Sequence, residues 1–383
     1  MIPLTEQTIV YPFFGLLATF VAIQTMYWLF VFSRLAWAKK TPPDKPQEVE
    51  RPVSIVVDGR NAQVAFDRII PALYSQEYSG RFEVVAVNDQ SADESELTLE
   101  VLRRKYPSLH VVAVPNSERF YNSKKFPLTL GIKAAKTETI LLTHADHLPA
   151  SAHWMRSMMT GYREGVRTVL GVVRLAKAPG YINKLARYRH NMRQLHLLGW
   201  AQWGLPMAGD GGNLTYDRPL FFEHKGFLSH MHIGPGEDDL FINEVSSVTQ
   251  AKVIFQPHAQ MEAPAPTTKA QWLRIGRRYA ETQAHYRSSH RTLLGIFTFS
   301  QRGFWWSALF SAAVCVLFPS YFPLWGLLFA FRMAVAMMQW GLASRFLSHA
   351  DTFVWFPLLE IHTMWLESRL ALERLFTPTN KRW

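Results

Sequence analysis

Several groups of polar residues in this chain have the types and the spacing for chemistry. One closes the stretch Ile140-Leu-Leu-Thr-His-Ala-Asp-His-Leu-Pro149, where an apolar run ends in His144, Asp146 and His147. A second, Asn88-Asp89-Gln-Ser-Ala-Asp93, follows Phe82-Glu-Val-Val-Ala-Val87, and a third, Asp58-Gly-Arg-Asn61, follows Val53-Ser-Ile-Val-Val57. A fourth, Glu237-Asp238-Asp239, stands between Gly234-Pro-Gly236 and Leu240-Phe-Ile242, at a loop-to-helix junction. Short aliphatic runs bounded in this way read as buried parallel strands, and open α/β sheets bind ligands beyond the carboxyl ends of their strands. Carboxylates at such ends line a crevice of the nucleotide-binding kind. Each group also has a plainer reading. Asp146 can cap a helix that begins near Ala150, Asp89 and Asp93 can form a turn and a cap, and an acidic helix start suits the helix dipole. Lys124-Lys125 are phosphate ligands or surface charges, and His144 is a ligand or a hydrogen-bonded structural residue. Gly211-Gly212-Asn213 permits close backbone approach, to a ligand or within a turn.

The elements that would position these groups alternate strand with helix from Arg51 to about Pro266. Phe66, Ile69, Ile70 and Leu73 recur at helical spacing after the first strand. Leu97 to Tyr106 is helical, His110 to Val114 a third strand, Lys124 to Ala135 a helix and Ile140 to Thr143 a fourth strand. This alternation predicts an α/β domain over residues 52–266, with a mostly parallel sheet and flanking helices. No G-x-G-x-x-G follows any strand and no P-loop is present, which excludes ordinary dinucleotide and P-loop sites.

The ends are of a different composition, hidden in a mean hydropathy of -0.04. Tyr11 to Phe32 is uncharged and long enough to cross a bilayer, and Arg34, Lys39 and Lys40 follow it. Charges on that side predict an uncleaved anchor over residues 1–34, its C-terminal side in the cytoplasm. Residues 35–51 read as a basic, proline-bearing linker. The stretch 267–302 carries Trp272, Arg274, Arg277, Arg278 and Tyr279 at helical spacing, as an amphipathic helix at a lipid surface does. Residues 303–345 read as two spans joined by Pro319-Ser-Tyr-Phe-Pro323, and 346–383 as an interfacial helix with a basic Lys381-Arg382 tail. Arg332 falls within the second of those spans, where a charge costs about 2.5 kcal/mol or more, so it should meet a lipid phosphate or Glu360. The single cysteine, Cys315, excludes an intrachain disulfide and a multi-cysteine zinc site. Lys+Arg 41 against Asp+Glu 30 gives a formal charge of +11, which anionic lipid and a phosphorylated substrate account for. No nucleic-acid motif accompanies it.

In order along the chain, Arg60-Asn61, Val87-Asn-Asp-Gln-Ser-Ala-Asp93, Lys124-Lys125 before Gly131, Thr143-His-Ala-Asp-His147, Gly211-Gly-Asn213 and Gly236-Glu-Asp-Asp-Leu-Phe241 resemble a membrane-anchored glycosyltransferase of family two, with the GT-A fold. The similarity covers nearly the whole chain and is greatest to family-two enzymes of Bacteroidetes-type bacteria. The resemblance implies an inverting transfer from a nucleotide-sugar donor, a UDP-hexose or a related compound, to a lipid-linked or membrane-embedded acceptor. The work would be done at the cytoplasmic face of a bacterial inner membrane, with a homo-oligomer or partner subunits possible.

By the same resemblance Asp89, with Asp93, Asp58, Asn61, Lys124 and Lys125, binds the donor, and Asp146 holds a divalent metal, Mn²⁺ or Mg²⁺, on its diphosphate. Asp238 supplies the base, with Glu237 and Asp239 as alternatives in other registers. Gly212, Asn213, Gln271, Trp272, Arg277 and Arg278 form the acceptor or interfacial side. The chain departs from the family pattern at Ala62, where an acid is usual, and at His144, the first acid of the metal motif. Imidazole suits Mn²⁺ better than Mg²⁺, which prefers oxygen. These departures leave open a catalytically degenerate scaffold subunit of an export complex; a nucleotidyl transferase would also use such a sheet, but Glu237-Asp-Asp239 and the membrane tail argue against it.

Overall fold

The computed structural model describes residues 6–42, 50–115 and 123–376, so the expected linker positions 43–49 and the Lys381-Arg382 tail lie outside the described residues. The chain opens with α1 (Glu6–Met26), a π-helical turn (Tyr27–Phe32) and α2 (Ser33–Ala36). Strands β1 (Val53–Gly59), β2 (Phe82–Asn88), β3 (Leu109–Ala113) and β4 (Thr139–His144) then alternate with α3 (Gln63–Tyr74), α4 (Ser95–Lys105) and α5 (Lys125–Ala134). Next come β5 (Leu148–Pro149), α6 (Trp154–Met159), β6 (Val166–Leu170), β7 (Val173–Leu175), α7 (Tyr181–Gln202), β8 (Leu214–Asp217) and α8 (Arg218–Glu223). Then follow α9 (Asp239–Val245), β9 (Gln250–Val253), β10 (Met261–Ala263) and α10 (Lys269–Gln283). Three long helices, α11 (Ser288–Leu317), α12 (Phe322–Leu347) and α13 (Phe356–Phe376), close the described chain.

The main sheet runs β3-β2-β1-β4-β8-β6-β9, and a small one runs β5-β10-β7. In the main sheet only β8 opposes its neighbours, pairing antiparallel with both β4 and β6. The aliphatic strands are fully sandwiched: Val53, Ile55 and Val57 of β1 pack with Phe66, Ile69, Ile70 and Leu73 of α3 and with Leu99 and Leu102 of α4, all buried. Fully burying each such side chain stabilises the fold by about 1.5–3 kcal/mol. With β-branched residues on both faces, these strands are buried on both sides, as strands of a parallel sheet covered by helices are.

The chain divides into two compact units, one spanning Lys39–Tyr286 and the other built from the helices on either side of it. The division interrupts the amphipathic stretch expected over 267–302. α10 stops at Gln283, Tyr286 turns inward to 3% exposure, and a new helix starts at Ser288. Within the helical unit, Thr8–Ala36 and Pro319–Leu347 are long and apolar enough to cross a membrane. Arg332 and Glu360 are both wholly buried there and face each other, Nη1 donating to Oε2 at 2.7 Å. Gln24 accepts from Arg332 at 2.9 Å, Gln301 donates to Glu360 at 3.0 Å, and the guanidinium lies 4.6 Å from the Phe304 ring centre. Of the partners weighed for Arg332, the structure gives Glu360. The bonds to Glu360 and Gln24 offset part of the desolvation that an isolated arginine would suffer, while the buried Arg332 Nε has no partner.

Candidate active site

The carboxyl ends of β1 and β4 lie side by side, and their register sets Asp58 opposite His144. Asp58 accepts from His144 Nδ1 at 2.5 Å and from Lys124 Nζ at 3.1 Å. Burial alone would raise the Asp58 pKa, but the two cationic partners hold it well below the usual carboxylate range. Burial pulls His144 down, and Asp58 outweighs it, so the imidazole is raised. The acid missing from position 144 is thus exchanged for a His144–Asp58–Lys124 ion cluster. Two residues on, Asp146 has a side chain 58% exposed and accepts from His147 Nδ1 at 2.7 Å. Burial acts against ionisation here too, but the bond to His147 and the charges of His144 and Lys124 hold Asp146 at about 2. Gly212 makes this possible, because a Cβ there would lie 2.5 Å from the His147 ring.

Three of the acids and amides expected to bind the donor have other tasks. Asp89 is 5% exposed and paired with Arg60 at 2.8 Å; burial raises its pKa against that pull. Asn61, at φ 49, accepts from the Ala92 N–H at 2.7 Å, and its own N–H donates to Ser91 Oγ at 2.9 Å. Asp93 accepts from the N–H groups of Gln63 at 3.2 Å and Ser95 at 3.1 Å. Asn61 and Asp93 therefore staple the loops after β1 and β2 to each other.

The three acids of the run differ in burial. Glu237 and Asp239 are 5% and 2% exposed, and Asp238 alone is partly open. Asp239 is joined to Arg193 and accepts from Thr282 Oγ1 at 3.1 Å; burial pushes it up to about 7 despite the arginine. Glu237 accepts from Arg278 at 3.4 Å through Oε1, while its buried Oε2 has no protein partner. Burial would raise Glu237, but Arg278 and Lys124 lower it. Asp238 caps α9, accepting the Asp239 N–H at 2.8 Å on Oδ1 and the Gly211 N–H at 2.7 Å on Oδ2. Burial, with Glu237 and Asp210 beside it, raises its pKa. A raised, partly open carboxylate is what a general base working near neutral pH requires. Gly236, at φ 98, makes the turn that aims it, a backbone conformation that favours glycine.

Because β8 runs backwards, the loop before it, rather than the loop after it, reaches this edge of the sheet. It delivers Asp210, a residue that the sequence reading missed although it sits next to the glycine pair. Asp210 accepts from Gln194 Nε2 at 3.1 Å and from the Gly212 N–H at 3.2 Å, with Arg193 at 3.8 Å. Burial raises it, but Arg193 and the nearby histidines bring it down overall. Arg193 lies 4.1 Å over the Tyr279 ring and so ties α7, α9 and α10 together. No periodic signal marks α7 as buried, since its buried face carries Arg187, His190, Asn191, Arg193 and Gln194.

The acceptor-side expectations divide. Asn213 is wholly buried: its amide donates to Val172 and Ala259 carbonyls at 2.9 Å each and accepts from Trp154 Nε1 at 2.9 Å. It is a clamp between strands with no face to the site. Gln271 completes a capping box with Thr268 at the start of α10, and Arg277 is exposed. Lys125 is turned under the neighbouring loop. Trp272 and Arg278, by contrast, line a cavity of about 260 Å³ together with Lys124, His144, Asp146 and Asp238. Gly212, Asp58, Asn61, Asp89 and Asp93 do not line it.

Among the described residues no group of three or more histidine, cysteine or carboxylate side chains is placed to hold a metal. Asp146 and His144 nonetheless fit a site that a diphosphate completes. The first is engaged only through Oδ1, the second only through Nδ1, and both face the cavity.

Residues 54–221 match the family model described as Glycosyl transferase family 2. No curated protein matches the chain. Among solved structures, the chain is similar to the mannosyltransferase PcManGT from Pyrobaculum calidifontis in complex with GDP-Man and Mn²⁺. That match is 16% identical with a TM-score of 0.59, covering 92% of this chain and 99% of that one. It also matches S. aureus TarS in complex with UDP, at 15% identity and a TM-score of 0.45, over 79% of this chain and 90% of that chain. Glucosyl-3-phosphoglycerate synthase from Mycobacterium tuberculosis matches at 16% identity and a TM-score of 0.39, over 61% of this chain and 79% of that one.

Proposed function

We propose that the chain, whose residues 54–221 match the family 2 glycosyl transferase model and whose fold is similar to that of a GT-A enzyme, is a glycosyltransferase that moves a sugar from a nucleotide-sugar donor to a hydroxyl of a membrane-embedded acceptor. The observation that carries this reading is the single cavity with Lys124, His144 and Asp146 on one wall and Asp238 on another. Lys124 and Arg278 offer positive charge to a diphosphate. Asp238 takes the proton of the acceptor hydroxyl as that oxygen bonds to the anomeric carbon. The bond from that carbon to the diphosphate breaks in the same in-line step, and the nucleoside diphosphate leaves with its electron pair, inverting the centre. Asp146 and His144 would hold a divalent ion, which when bound supplies Lewis-acid stabilisation of the departing diphosphate. The imidazole favours Mn²⁺ over Mg²⁺. UDP and GDP sugars are the donors to try first.

The two long apolar helices support anchoring in a bilayer, and the basic residues after the first support a catalytic unit on the cytoplasmic side of a bacterial inner membrane. An acceptor carried by lipid follows from that placement. Wild-type protein in detergent, assayed for nucleoside diphosphate release with UDP- and GDP-sugars and lipid extract, should turn over one donor with Mn²⁺ and lose this with chelator. Neither turnover nor metal-dependent donor binding across the panel would overturn the reading.

A further inference from the structure

Adjacent lysines open α5 and point to different places. Lys124 reaches Asp58 at the end of β1. Lys125 is 0% exposed, and its ammonium donates to three backbone carbonyls: His230 at 2.7 Å, Ile233 at 2.6 Å and Pro235 at 2.9 Å. An ammonium has three N–H donors and no acceptor, so all three are used. These carbonyls belong to the segment that leads through Gly236 into Glu237 and Asp238. The segment has no strand to pair with, and its regular structure is a 3-10 turn at Leu228–His230. Its buried carbonyls must find donors elsewhere. One cation gathers three of them within six residues.

We infer that Lys125 is a positioning residue: it folds the 230–235 segment around its ammonium and thereby sets where the Asp238 carboxylate stands, while making no contact with donor or acceptor. This rests on Asp238 being the base. The geometry has two corollaries. Lys125 belongs to the same helix start as Lys124, so the wall that faces the donor and the turn that carries the base share one rigid element. Arginine cannot replace it, because a planar guanidinium cannot converge three donors on one buried point. The groups facing the ammonium are Glu237, Asp238 and Glu281, whose charges favour its protonated form, and His230, which burial and Lys125 lower to about 4; burial prevails and brings Lys125 down to about 8.

The test uses the full chain in detergent, as wild type, Lys125→Met and Lys125→Arg. Peptide-resolved hydrogen exchange should rise at least tenfold over residues 228–238 in Lys125→Met and stay unchanged over β1, β2 and β4. Calorimetric donor affinity should stay within twofold of wild type while kcat for nucleoside diphosphate release falls about 100-fold, with KM for the donor unmoved. Lys125→Arg should not restore kcat. Unchanged exchange over 228–238 overturns the inference. Equal loss of donor affinity and kcat overturns it too, since that would mark a donor ligand. A wild type without turnover would count against the proposed function instead, and the exchange arm still decides the role of Lys125.

Discussion

Replacing Asp238 by Asn separates the base from its neighbours in a way that the hydrogen bonds quantify. Asp238 accepts two backbone N–H groups, at 2.7 and 2.8 Å. An amide keeps one acceptor, and Asn is itself a good helix cap, so the Asp239 N–H stays capped. The Gly211 N–H then faces an NH₂ group, and a buried donor left unsatisfied costs about 1–3 kcal/mol. For a unit of this size that lowers the melting temperature by roughly 2–4 °C per kcal/mol, which leaves the fold standing. The proton acceptor is lost altogether, and general-base catalysis contributes about 10²–10⁴ in rate, or about 2.7–5.4 kcal/mol of barrier. Asp239→Asn has the opposite profile. It strips Arg193 of a buried carboxylate, for which about 3–5 kcal/mol of stability is expected to go. The assay is kcat for nucleoside diphosphate release, with calorimetric donor affinity and a melting scan on each variant. Asp238→Asn should melt roughly 2–12 °C below wild type, bind donor normally and turn over at most about 1% as fast. Because burial and neighbouring acids raise the Asp238 pKa, its basic form is lost as pH falls. The wild-type rate should therefore decline on the acid side at a pH above the ordinary aspartate value of about 3.9, a limb absent from the variant. Full turnover by Asp238→Asn, or a well-folded Asp239→Asn without activity, would refute the assignment.

Asp146→Asn should abolish Mn²⁺-dependent donor binding by calorimetry while leaving any metal-free binding of the nucleotide in place. Gly212→Ala should push the His147 ring off Asp146 and weaken donor affinity by about tenfold, in the range seen when a ligand's outer-shell partner is lost; unchanged affinity would show that the 2.5 Å clash is absorbed elsewhere. Arg332→Leu strands the buried Glu360 charge and should lower stability in detergent by about 3–5 kcal/mol, whereas Arg332→Met with Glu360→Leu should recover most of it. Equal melting of the single and double variants would show that the pair is not coupled.

The front half of the sheet was legible because its strands are continuous aliphatic runs and its site residues stand where those runs stop. Asp58, His144 and Asp146 could be found from that rule alone. What they do to each other could not, since the His144–Asp58 pairing depends on β1 and β4 being sheet neighbours, a long-range fact. The second half gave weaker signals. β8 and β10 are four and three residues long, and α7 hides its buried face behind arginine, histidine and asparagine, so hydropathy reads it as exposed. Asp210 was lost with them. Asn213 and Gln271 show the converse: their types suit a ligand, yet their hydrogen bonds are all made to their own fold. Lys125 and Lys124 are indistinguishable as letters, and only helix direction sends one to the cavity and the other beneath a loop.

The reversed strand β8 has a consequence for how this enzyme type can diversify. Of the residues lining the cavity, Lys124, His144, Asp146 and His147 precede it in the chain, and Asp238, Trp272 and Arg278 come after it. The two sides of the cavity thus come from stretches of chain before and after one buried strand. Any change on one side must keep the match of Lys125 to three carbonyls, of Arg193 to Asp239 and of the Gly211 N–H to Asp238, the contacts by which the earlier stretch grips the later.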